Sequence, residues 1–142
     1  MISDRARIEY RHERPDKQDY LALFETTGWN EAYRATADEL HEAIGRSWFL
    51  VAAYENGRLV GFGRVVSDGV LYGMIYDMIV EPTHQGRGIG SEILRRLVER
   101  CRAAGLRDIQ LFSARGKAPF YGKRGFENRP DDAPGMRLRK DA

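Results

Sequence analysis

The chain has 142 residues, 42% hydrophobic and 31% charged, with a formal net charge of +2. That length suits one domain with its own core, and the balance excludes a disordered or membrane-embedded chain. The small net charge gives no reason to expect nucleic acid as a partner, and no apolar run approaches the ~20 residues of a membrane span.

A single cysteine excludes an internal disulfide and fits a reducing compartment. The opening stretch, residues 1–16, is charged throughout and lacks the apolar centre of a signal peptide, so the expectation is a cytoplasmic protein with no membrane partner. Charge is unevenly spread. Residues 16–45 hold seven acids and two bases, whereas residues 85–142 hold seven acids and fourteen bases.

In chain order, residues 6–12 alternate apolar and polar side chains and suit a first strand. Residues 16–28 place Tyr20, Leu21, Phe24 and Thr27 at helical spacing, with Asp16 as cap and Gly28 as stop. Residues 30–45 read as one second helix, capped by Asn30 and ended at Gly45. Residues 47–69 read as strand, Asn56-Gly57 hairpin and strand, closed by a Ser67-Asp68-Gly69 turn. Residues 70–80 are apolar on both faces, as in an interior strand. From Ile89 the pattern turns helical, with Ile93, Leu94, Leu97, Val98 and Cys101 on one stripe and Gly105 as terminator. Residues 106–114 suit another strand, 117–126 a short helix with Pro119 in its first turn, and 135–140 a last short strand.

The strand–helix–strand unit over residues 74–112 predicts a right-handed crossover between parallel strands. Added to the antiparallel hairpins, it predicts an α/β chain of the mixed α+β kind. One domain, residues 1–142, would hold a mostly antiparallel sheet with a central, splayed parallel pair and flanking helices.

Between the interior strand and the amphipathic helix lies His84-Gln85-Gly86-Arg87-Gly88-Ile89-Gly90-Ser91. A strand end that opens onto a helix start gathers unpaired N–H groups and the positive end of the helix dipole, which suits phosphate. Glycine lets a ligand approach those amides, and Arg87 adds a mobile positive charge. The spacing is neither a Walker loop nor the G-x-G-x-x-G of dinucleotide folds. A plain glycine-rich turn is the other reading.

Gln85-x-x-Gly88-x-Gly90 resembles the acetyl-CoA signature of the Gcn5-related N-acetyltransferases (GNAT). Residues 120–126, Phe-Tyr-Gly-Lys-Arg-Gly-Phe, match that family's later F-Y-x-x-x-G-F element. The resemblance runs over residues 10–138. Within the family the chain is similar to plant plastid serotonin and lysine acetyltransferases and their bacterial relatives. That narrower likeness rests on Gly28-Trp29, residues 47–52, 59–69 and 76–90, and Pro134-Gly135-Met136.

The resemblance implies acetyl-CoA as cosubstrate, held by the main chain of Met78, Ile79 and Val80 and by residues Gln85, Gly86, Arg87, Gly88, Ile89, Gly90 and Ser91. Arg115 departs from the family, where asparagine or a similar small polar residue is common; the alternative is that Lys117, with Arg115 and Lys123, meets the ribose phosphate. An N–H near Ile79 would stabilise the oxyanion as a neutral amine attacks the thioester. Tyr121 matches the family's general acid, which protonates the departing thiolate; packing of the short helix is its structural alternative. Asp77 and Glu81 share strand parity with Ile75 and Ile79, so both are candidate bases. Asp77 could also anchor the acceptor or sit in a structural ion pair, and Glu81 could be a solvated strand end.

The implied partner is a small-molecule or peptidyl primary amine, with a homodimer also suggested by the family. The histidines at 12, 41 and 84 lack metal-ligand spacing, and no metal is implied. A non-catalytic acyl-CoA sensor on the same fold is the alternative, and the presence of Tyr121 argues against it.

Overall fold

Residues 7–142 are described by a computed structural model. The first expected strand forms as β1 (Ile8–Arg11), and residue 6 lies outside the described residues. Asp16 accepts from the N–H groups of Gln18 and Asp19 at 3.0 and 3.3 Å and starts α1 (Lys17–Glu25).

The second helix is not continuous. It is broken into α2 (Asn30–Tyr33) and α3 (Ala37–Gly45) by Arg34, which is left-handed at φ 52°. Asn30 does not cap a helix start. Its amide bonds both main-chain groups of Ala35 and so closes the break. Thr36 and Glu39 then form a reciprocal capping box for α3, a T-x-x-E signal present in the sequence.

β2 (Phe49–Glu55) and β3 (Arg58–Ser67) meet at Asn56-Gly57, both at positive φ as a tight hairpin turn requires. Asp68 accepts from Val70, Leu71 and Tyr72 in the next turn, and these N–H groups hold its carboxyl below the usual range. β4 (Tyr72–Val80) follows, then a 3-10 turn (Pro82–His84), α4 (Ile89–Ala103) and β5 (Asp108–Leu111). The sheet runs in chain order from β1 to β5. Its first three pairings are antiparallel, and β5 lies parallel to β4.

The parallel pair therefore ends the sheet rather than occupying its centre. Residues 135–140, expected as a further strand, form none. Met136 and Leu138 are 85% and 83% exposed, so their alternation has no buried face to complete. β5 is also shorter than expected. Arg107 and Asp108 donate to Leu71, and four residues at ~3.3 Å each accompany only the first half of β4.

Two layers cover the sheet up to Gln110, where the first of two compact units ends. On one face Tyr20, Leu23 and Phe24 of α1 and Leu40 and Ile44 of α3 pack on Leu50, Ala52, Tyr54, Leu59, Phe62 and Ile79. On the other, α4 lies so close that a Cβ on Gly63 would stand 2.8 Å from Ile93 and 3.0 Å from Leu97. No helix among the described residues is long and apolar enough to cross a membrane. The second unit, Leu111–Ala142, contains α5 (Ala118–Gly122), with Pro119 in its first turn as expected.

Candidate active site

The interior strand carries its irregularity where the chemistry was expected. Ile79 pairs with Phe62 and Tyr76 with Arg64, so Asp77 and Met78 together oppose Gly63. This is a β-bulge, and Asp77 takes φ 55°, a conformation L-residues rarely adopt. The extra residue resets the alternation. Tyr76 and Ile79 now share the face of Arg64 and Phe62, while Ile75, paired with Val65, looks the other way. The common parity expected for Ile75, Asp77, Ile79 and Glu81 is therefore broken between Ile75 and Ile79.

Asp77 is not an isolated charge. Its carboxylate accepts from Nε of Arg64 at 2.7 Å, and Arg64 also donates to the Ala43 carbonyl of α3 at 3.1 Å. Both side chains are largely covered, at 21% and 16% exposure. The buried Tyr20 hydroxyl has no well-formed hydrogen bond, and burial, reinforced by the nearby Asp77 charge, pushes its phenol far up. The partner of Asp77 was legible: Arg64 is the one charge inside β3 beyond its first residue, Arg58, and Asp77 is the one charge in β4, with the two strands joined by one turn.

Glu81 sits at the end of β4, where its N–H donates to Val60 at 2.8 Å. By antiparallel alternation this turns the main-chain groups of Glu81 and Ile79 toward β3 and those of Met78 and Val80 toward the opposite edge. The Val80 carbonyl accepts from Gln85 Nε2 at 3.2 Å, which ties the glycine loop to the strand end. Glu81 lines a cavity of about 150 Å³ with Asp19 and Leu23 of α1, Thr26 just after it, and Arg58 and Leu59 of β3. One Glu81 oxygen is paired with Arg58; the other, Oε2, is buried, makes no hydrogen bond, and lies 3.1 Å from His84 Nδ1.

His84 is the residue that the sequence reading passed over. It is 8% exposed, with Nε2 3.2 Å from Glu55 Oε1 and Nδ1 3.0 Å from the Thr83 hydroxyl. Glu55 binds Arg87 at 2.7 Å, so Arg87 is ion-paired rather than mobile as expected. The Arg87 guanidinium, and after it His84, holds the Glu55 carboxyl below the usual range. No sequence spacing announces this chain of charges, because residues 55, 58, 81, 84 and 87 meet only after the sheet forms.

In the loop, Gly86 and Gly88 stand at φ 79° and 82°, and a Cβ on either would meet no protein atom within 4 Å. Gly88 caps α4 without a side-chain bond, so the helix start presents its main chain from Ile89, Gly90 and Ser91. The Ile89 side chain itself is 2% exposed and belongs to the core.

In the second unit, Tyr121 is 9% exposed, edge-on to Phe120 and Phe126 at 5.1 and 5.9 Å. Burial pushes its phenol up. Lys117 precedes α5 and is exposed, and its carbonyl accepts from Phe120 at 3.0 Å. Among the described residues no group of three or more histidine, cysteine or acidic side chains is arranged to hold a metal ion.

The model of the Acetyltransferase (GNAT) family matches residues 7–126. Serotonin N-acetyltransferase 2, chloroplastic, of Oryza sativa subsp. japonica is 38% identical over 85 residues, 60% of this chain and 42% of that protein. Histone acetyltransferase TAP1 of Glycine max is 28% identical over 132 residues, 85% of this chain and 56% of that protein. The chain thus spans about half the length of these relatives. Among solved structures, a probable acetyltransferase from meticillin-resistant Staphylococcus aureus superposes with a TM-score of 0.82 at 25% identity, over 94% of this chain and 99% of that one. The GNAT family protein SP0256 of Streptococcus pneumoniae gives 0.77 at 26% identity, over 96% and 100%.

Proposed function

Since the chain belongs to the GNAT family of acetyltransferases, we propose that it is an N-acetyltransferase moving the acetyl group of acetyl-CoA directly to a primary amine. The acceptor would be an arylalkylamine, another small amine or a lysine side chain. The observation that carries this reading is the glycine loop. Gly86 and Gly88 hold left-handed conformations just before α4, with open space where a Cβ would stand, so a ligand can approach the main chain there. The residues fit acetyl-CoA, which supplies an activated acetyl thioester when bound.

The main chain of residues 86–91 binds the pyrophosphate, with the α4 dipole behind it. Met78 and Val80 offer main-chain groups along the half of β4 that β5 does not accompany, and Gln85 keeps the loop against that edge. Asp19 and Glu81 supply negative charge to a cationic acceptor in the cavity between α1 and the strand ends. Glu81 is the better base of the two candidates, because it lines that cavity, whereas Asp77 does not line it and is held in the Arg64 pair. Tyr121, kept protonated at neutral pH by burial, donates to the departing thiolate.

Release of free coenzyme A thiol across a panel of tryptamines, polyamines, amino acids and lysine peptides tests the reaction. Binding of acetyl-CoA with no turnover on any amine would overturn it. Tyr121→Phe should lower turnover by roughly 10²- to 10⁴-fold while the melting temperature and acetyl-CoA affinity hold. Wild-type turnover in that variant would make Tyr121 a packing residue only.

A further inference from the structure

Outside the groups already given a role, one side chain grips the glycine loop at two points. We propose that Glu55 is a positioning residue for the pyrophosphate site: it holds the loop's main chain in its binding shape before acetyl-CoA arrives. The inference deepens the N-acetyltransferase reading and rests on it.

Glu55 ends β2, where it pairs with Ile8 of β1 and Arg58 of β3, so the sheet fixes its main chain from both sides. Its two oxygens serve two different residues around the loop. Oε1 stands 3.2 Å from His84 Nε2, and Oε2 accepts from Arg87 Nη2 at 2.7 Å. With Nε2–H donating to Glu55, the Thr83 hydroxyl, 3.0 Å away, donates to Nδ1, and both ring nitrogens are satisfied. These anchors flank Gln85 and Gly86, and Gln85 is itself tied to the Val80 carbonyl. Directly after them the Gly88 carbonyl accepts from Glu92 at 3.1 Å and begins α4.

A loop with glycine at 86, 88 and 90 is expensive to order, because glycine gives up the most backbone freedom. Ordering it during folding removes that cost from binding. Glu55 does so through side-chain donors, so its charge is bound away from the main chain that the pyrophosphate would use. Gly86 and Gly88 keep open space where a Cβ would stand. Arg87 holds the Glu55 carboxyl below the usual range, which keeps the clamp charged at neutral pH. The competing arrangement is an Arg87 that leaves Glu55 for the phosphate. It makes the opposite prediction, since removing Glu55 would then free the cation and strengthen binding.

The test has two arms and two variants. Glu55→Ala removes both anchors, whereas Glu55→Gln removes the charge and keeps one acceptor oxygen. In the first arm, turnover is compared between acetyl-CoA and S-acetylpantetheine, the same thioester without the pyrophosphate. The ratio of their kcat/KM values should fall about tenfold in Glu55→Ala, as for a lost hydrogen bond to a charged group, and by less in Glu55→Gln. Damage to the fold or to the base would lower both donors alike, and an unchanged ratio would overturn the proposal. A ratio that rose would overturn it too and make Arg87 the mobile cation. The second arm needs no ligand. Backbone ¹⁵N order parameters of Gly86 and Gly88 should lie near ~0.85 in wild type and drop toward ~0.6 in Glu55→Ala, with α4 unchanged. Equal order in the two proteins would sink the clamp whatever the chain turns over. Should Glu55→Ala fail to fold, Glu55→Gln carries both arms with the same signs. A loop that loosens in the variant, in a protein whose wild type neither binds nor uses acetyl-CoA, would count against the N-acetyltransferase reading and not against the clamp.

Discussion

The two faces of the sheet solve opposite problems. The α4 face is dry and close. Gly61, Gly63 and Gly73 remove side chains so that Ile89, Ile93, Leu97 and Cys101 can settle against the strands. The α1/α3 face keeps an apolar cluster but admits Arg64, Asp77 and Glu81 among it, and leaves the Tyr20 hydroxyl and one Glu81 oxygen without hydrogen bonds. Close packing allows few arrangements, so the α4 face fixes where the helix begins and where the glycine loop must stand. Buried, imperfectly satisfied charge costs stability, and it is tolerated where chemistry needs it. One face sets geometry; the other holds reactivity.

The largest effect expected in these layers comes from removing one partner of the Arg64–Asp77 pair. Asp77→Asn keeps the shape and tolerates the left-handed φ, so the loss reports charge. With both side chains slightly exposed, the cost should be about 2–4 kcal/mol, at or below the range for a broken buried pair. Chemical denaturation reads it. If Asp77 also anchored the acceptor, the Michaelis constant for the amine would rise in the same protein. A stability loss with unchanged amine kinetics would leave the pair structural.

The packed face should respond to volume instead. In Gly63→Ala the new methyl would stand 2.7 Å from the Met78 sulfur and 2.8 Å from Ile93. Met78 can swing aside, but the branched Ile93 on a fixed helix cannot, so about 1–3 kcal/mol should be lost. Amine turnover at saturating acetyl-CoA should barely change, and acetyl-CoA affinity should fall if the helix start moves. A neutral substitution would mean that α4 is held less tightly than the glycines imply.

The same contrast explains what could be read in advance. Strands and helices on the packed face follow from periodicity, and α4 and the glycine loop were legible because a 3.6-residue stripe follows an apolar run directly. The α2–α3 break was legible too, in Thr36 and Glu39, but the apolar spacing across residues 30–45 concealed it. The bulge at Asp77 was not. A register shift is a property of two strands, and an alternation read along one strand carries straight through it. For the same reason Arg64–Asp77 could be guessed from two lone charges, whereas His84 between Glu55 and Glu81 could not. The expected strand over residues 135–140 failed because alternation of two apolar side chains gives too little to bury.

The smallest effect lies on the outer side of α4, where Glu92 meets Arg95 at 2.7 Å and Arg96 at 2.9 Å. The Arg95 hydrogen bond, against some desolvation and with help from Arg96, holds the Glu92 carboxyl down to about 2 from its ordinary 4.5. The carboxyl is thus depressed in the folded state, so its contribution is present in full above pH 4.5 and is lost as pH falls toward 2. Glu92→Gln should cost about 0.5–1 kcal/mol near neutrality, as for an exposed network of charges. The gap between variant and wild type should close on acidification through that window, and unfolding free energies measured at stepped pH check it. A gap that persisted at the acid end would place the role of Glu92 in packing against the helix rather than in its charge, and would extend the steric character of the α4 face to its solvent side.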